Sequence, residues 1–79
     1  MAVAYVMINC DLGKEEIVIG NLKRLSCVKE VHGTFGVYDI FAKVEDSEME
    51  RLRQTITQSI RRTDFIRSTI TLMGIEGQN

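Results

Sequence analysis

The order of its segments leaves this chain few folds. Four β-branched or aromatic runs are interspersed with two runs of helical spacing, joined by short connections, with six glycines and no proline anywhere in 79 residues. Residues 3–9 (VAYVMIN) read as a strand closed by Cys10-Asp11-Leu12-Gly13. Residues 13–25 follow with Val18, Leu22 and Leu25 at helical spacing, Asp11 as N-cap, and Glu15 and Glu16 in the first turn. Gly20 weakens that helix by about 1 kcal/mol, and Ile17 and Ile19 suit a strand better. Residues 28–35 are a second strand, Gly36-Val37 a tight turn, and residues 38–44 a third strand. Ser47 and Glu50 are spaced as a capping box. Behind them Met49, Leu52, Ile56 and Ile60 mark one helical face out to about Arg61. Residues 65–75 are the last strand and 76–79 a tail.

The resulting β-α-β-β-α-β order, with right-handed crossovers, puts both helices on one face of an antiparallel sheet. This is the ferredoxin-like α+β arrangement, strand order 4-1-3-2, in one domain spanning 1–79. Both sheet faces carry apolar residues. Tyr5 and Met7 oppose Ala4, Val6 and Ile8; Val37 and Phe41 oppose Tyr38, Ile40, Ala42 and Val44; Ile70 and Leu72 oppose Met73 and Ile75. One face packs under the helices. The other is expected to meet a second subunit, which a domain this small would gain from, since it buries only about 60% of its unfolded surface.

Composition excludes several classes. Ten basic against eleven acidic residues rule out a histone-like nucleic-acid binder. No apolar run approaches the ~18 residues of a membrane span and no signal peptide is visible, so a cytoplasmic protein is expected. Cys10, Cys27 and the single His32 are too few and too scattered for a zinc site or a Cys–His dyad. The topology puts the two cysteines at opposite ends of the sheet, which makes a disulfide improbable. No phosphate loop is present and no cofactor is implied. Residues 1–50 hold five basic and nine acidic groups, a balance of −4. Residues 51–67 hold Arg51, Arg53, Arg61, Arg62 and Arg67 against Asp64, a balance of +4. Aromatic residues do not interleave repeatedly with these arginines, Phe65 being the single one in the segment, as a nucleic-acid stacking surface requires, and a solvated or subunit-paired patch is the stronger reading.

The stretch VKEVHGTFGVYDIFAKV, an apolar strand, then Gly-x-x-Asp (Gly36 to Asp39), then an apolar strand, resembles the effector domain of the Lrp/AsnC regulators. The flanks AYVMINCDLGKEEIVIGNLKRLSCVKEVHG and RTDFIRSTITLMGIE resemble that domain's opening and closing. Because the chain starts at the first effector strand, with no helix-turn-helix before it, it resembles the stand-alone form, the RAM domain. The resemblance implies a dimer formed through the sheets, assembly of dimers to an octamer, an amino-acid effector bound between dimers, and partnership with a full-length Lrp/AsnC regulator. It implies no membrane role and no specific DNA binding by this chain alone.

The topology brings residues 9–13, 35–39 and 61–69 to one end of the sheet. An amino acid needs donors for its carboxylate and acceptors for its ammonium, and the residues expected to provide these are Thr34, Gly36, Val37, Tyr38, Asp39, Ser68 and Thr69. Gly36 can present an unobstructed amide or be a hairpin glycine with positive φ. Asp39 can take the ammonium or the turn's own amides. Thr69 and Thr71 can equally fill a strand face, and Tyr38 can equally pack in a core or interface. The expectation is a non-enzymatic, self-assembling amino-acid sensor. The alternative is a small metabolic enzyme or regulatory subunit on the same superfold, because this fold hosts many functions.

Overall fold

In the computed structural model, which describes residues 1–75 and 77–78, the alternating apolar runs become the four strands of one antiparallel sheet. The elements are β1 (Ala2–Cys10), α1 (Glu15–Lys23), β2 (Val28–Gly33), β3 (Ile40–Asp46), α2 (Met49–Thr55), a π-helical turn (Ile56–Ile60) that continues α2, and β4 (Ile66–Met73). The strands lie in the order β2-β3-β1-β4, the expected order read from the other edge. Glu76 and Asn79 of the expected tail lie outside the described residues.

Register sets the two faces. Ile8 pairs with Ile40 and Thr69, and Val6 with Ala42 and Thr71. Strand period is two, so alternate residues face opposite ways. Ala4, Val6 and Ile8 of β1 and Ile40, Ala42 and Val44 of β3 lie under the helices with no exposed surface. Val18 and Leu22, one turn apart on α1, close over them, with Leu52, Ile56 and Ile60 from the second helix. Each such Leu or Ile contributes roughly 1.5–3 kcal/mol by leaving water. This packing outweighs the helix propensity lost at Gly20, so α1 forms. Cys10 and Cys27 are buried, free thiols.

The opposite face carries Tyr5, Met7, Phe41, Ile70 and Leu72. Tyr5 and Phe41 stack at 5.9 Å between ring centroids, while Ile70 and Leu72 stay 44% and 52% exposed. An apolar band is thus left open, as the strand pattern predicts.

Several local expectations fail. β2 stops at Gly33 and β3 starts at Ile40, so the tight Gly36-Val37 turn is a six-residue loop. Phe35 and Val37 have no strand to pair with, and the loop closes through Thr34 N–H to the Asp39 carbonyl (2.8 Å) and Thr34 Oγ1–H to the Tyr38 carbonyl (2.6 Å). Ser47 is not the cap of α2, and there is no capping box. β3 runs on to Asp46, whose Oδ1 accepts from the Glu48 amide (3.1 Å) and lies 3.4 Å from the Ser47 hydroxyl. An aspartate two residues ahead of an amide forms this short turn readily, and it takes the donor first. Asp11 likewise does not cap α1 with its side chain. Lys14 occupies the cap position, and its amide bonds to the Asp11 backbone carbonyl at 3.0 Å.

Candidate functional site

The end of the sheet where β1 finishes is built around Asp39. Its amide donates to the Ile8 carbonyl (3.0 Å), its carbonyl accepts from Thr34, and its Oδ2 accepts from the Cys10 amide (3.0 Å). The carboxylate therefore serves the neighbouring strand rather than the amides of its own loop. Oδ1 accepts no hydrogen bond among the described residues.

Across β1 the ladder is irregular. Asn9 pairs with Ser68 but Cys10 pairs with Ile66, so Arg67 is an extra residue in a β-bulge. Bulges bend a strand and re-aim a side chain. Just before it Phe65 has φ +73°, unusual for a bulky residue. It is held by the Asp11 amide on its carbonyl (2.8 Å) and by the Lys14 ammonium 5.1 Å from its ring centre. The Arg67 side chain is left 71% exposed, its nearest carboxylate being Asp11 at 3.9 Å.

A hollow of 420 Å³ lies between these parts, lined by Asn9, Cys10, Asp39, Arg67 and Ser68. Asn9 Nδ2 and Ser68 Oγ stand 3.5 Å apart on its wall. One cationic group, one carboxylate oxygen without a partner and neutral polar groups thus share one opening, a set suited to a zwitterion. Burial pushes the Cys10 thiol above its ordinary pKa, and the nearby carboxylates of Asp39, Glu15 and Asp11 push it the same way. It is a protonated wall group at neutral pH, not a nucleophile.

The seven expected site residues divide three ways. Asp39 and Ser68 line this hollow. Thr34, Gly36, Val37 and Tyr38 line a neighbouring, largely apolar hollow of 240 Å³ with Met7, Phe35 and Phe41. Thr69 pairs with Ile8 and so lies on the helix side of the sheet, away from Ser68. Gly36 has φ +151°, and nothing lies within 4 Å of where a Cβ would stand. Asn9 and Arg67 were not anticipated as site residues. Arg67 reads in sequence as one of a cluster of arginines, and no local signal announces the bulge. Within that cluster Arg51 is bound by Glu48 (2.7 Å) and Asp46 (3.4 Å). His32 pairs with Glu30 at 3.1 Å and lies against Phe41, a surface role. Among the described residues no group of His, Cys, Asp and Glu could hold a metal ion, and no helix is long and apolar enough to cross a membrane.

The model of the Lrp/AsnC ligand binding domain matches residues 3–76. This chain belongs to that family. It is therefore a ligand-binding module of a family of regulators. Solved structures agree with the fold. The crystal structure of FFRP-DM1 superposes with a TM-score of 0.91 at 35% identity, over 95% of this chain and 100% of that one. A hypothetical protein, PHS023, from Pyrococcus horikoshii gives 0.90 at 35% identity, over 95% and 90%. The AsnC protein of E. coli gives 0.88 at 25% identity, over 99% of this chain and 53% of that one, so this Lrp/AsnC module corresponds to about half of that regulator. No curated protein matches the chain.

Proposed function

We propose that this Lrp/AsnC module is a non-enzymatic sensor of an amino acid, held by its main-chain groups in the Asn9–Asp39–Arg67–Ser68 hollow. The observation that carries the reading is that Arg67, exposed and only loosely engaged, and Asp39, whose Oδ1 has no partner among the described residues, line one 420 Å³ opening. The guanidinium would take the α-carboxylate and the aspartate oxygen the α-ammonium. Asn9 and Ser68 would meet a side chain. Gly36, Val37, Tyr38 and Thr34 form the adjoining loop, and in an assembly this loop would supply a further wall. Thr69 faces the helices and so stands outside this hollow.

The open apolar band and the exposed Phe35 and Val37 support self-association. We read the chain as a dimer that assembles further, to an octamer by family resemblance, and that reports ligand state to a full-length Lrp/AsnC regulator.

The test is a thermal-shift screen of the twenty amino acids with the oligomeric mass followed by light scattering. One amino acid, or a chemically related few, should raise the melting temperature saturably without being consumed. Arg67→Gln and Asp39→Asn should each weaken that binding about ten- to a hundredfold. Binding unchanged in both variants would remove this hollow as the site, and turnover of the amino acid would remove the sensor reading.

A further inference from the structure

A third hollow, of 250 Å³, lies on the helix side of the sheet between β4 and the second helix, lined by Arg53, Ile56, Thr57, Arg61, Thr71 and Met73. It shares no residue with the hollow around Asp39. Arg53, Thr57 and Arg61 recur every four residues and so stand on one face of α2 and its continuation. That continuation is π-helical, closed by the Arg61 amide on the Ile56 carbonyl at 3.0 Å. π turns are rare and are frequently found at functional sites.

Three features of this hollow are unsatisfied among the described residues. Neither Arg53 nor Arg61 has a carboxylate within 4.0 Å among the described residues, while Arg51 of the same helix has two. The third is Thr71. It pairs with Val6 and so faces the helices, and its Oγ1 is buried without a hydrogen-bond partner among the described residues. A buried hydroxyl without a partner is costly. Beside it the exposed Arg53 and Arg61 flank a floor of Ile56 and Met73. An oxyanion answers all three demands, accepting from both guanidinium groups and from the Thr71 hydroxyl.

We propose that this hollow is a binding site for a small oxyanion, a carboxylate or a phosphate, held between Arg53 and Arg61 with Thr71 Oγ1 as a neutral donor. The site is independent of the amino-acid reading.

The experiment titrates the chain separately with inorganic phosphate and with succinate, at ionic strength held constant with sodium chloride. It follows the melting temperature and the amide NMR signals of Thr57, Arg61 and Thr71. At least one anion should saturate these signals, and the tighter of the two identifies phosphoryl or carboxylate chemistry. Arg61→Gln should weaken that anion about tenfold. Thr71→Val, which swaps the hydroxyl for a methyl, should raise the melting temperature of the anion-free chain and weaken the anion severalfold. Shifts that grow without saturating for both anions would overturn the proposal, since a water would then suffice for Thr71. It is equally overturned if Arg53→Gln/Arg61→Gln binds as the parent does, or if Thr71→Val changes stability alone.

Discussion

Asp39→Asn isolates one charge at the centre of the candidate site. Only the side chain changes, so the backbone bonds of residue 39 to Ile8 and Thr34 remain. The asparagine oxygen can still accept from the Cys10 amide, now at 3.0 Å to a neutral group instead of an ion. A hydrogen bond to a charged partner contributes about 1.5–3 kcal/mol and a neutral one about 0.5–1.5, so the substitution should cost roughly 1 kcal/mol. For a domain of this size that lowers the melting temperature by about 4–8 °C. Asp39→Ala removes the acceptor altogether, leaves the Cys10 amide unpaired, and should cost roughly 2–3 kcal/mol. Thermal and urea unfolding followed by circular dichroism, at one fixed protein concentration because association shifts apparent stability, measures both. Stability equal to the parent in both variants would refute the role of Asp39 as the tie between the loop and β1. Equal losses in the two would refute the part assigned to its charge.

Other expectations follow from single positions. Gly20 is exposed in the middle of α1 with nothing within 4 Å of its absent Cβ, so Gly20→Ala should stabilise the chain by about 0.5–1 kcal/mol in urea unfolding. Gly36→Ala meets no neighbour but forces alanine into φ +151°, and should cost about 1–3 kcal/mol by the same measurement. The raised Cys10 pKa means the folded chain holds that proton more tightly than the unfolded one. Its stabilising effect is complete below the free thiol value of about 8.5 and is lost as pH rises through the higher folded value. Cys10→Ser should flatten the decline in stability above pH ~8.5, and alkylation of the parent by iodoacetamide should stay slow until well into the alkaline range. Leu52→Ala, at a position with no exposed surface, should cost about 2–5 kcal/mol in urea unfolding.

The element order, the sheet order and the two apolar faces were all legible in the residues, because each rests on short-range periodicity and on the handedness of crossovers. Val18 with Leu22, and Ala4 with Val6 and Ile8, announce their buried faces without knowledge of any partner. The family was legible for the same reason, since its signature is a contiguous run through residues 28–44. Which of Ser68 and Thr69 shares a face with Asn9 needed the register of β4 on β1, because a strand sends adjacent side chains to opposite faces. What only the tertiary structure decided lies in hydrogen bonds between distant residues. Ser47 lost its capping role because β3 stays paired with β1 out to Asp46. Asp39 turned toward Cys10, 29 positions away, because that amide has no ladder partner of its own on that side. Arg67 entered the site because β4 takes two residues to pass one on β1. A strand's register and its bulges minimise the energy of the whole ladder at once, and no window of sequence contains both of its sides.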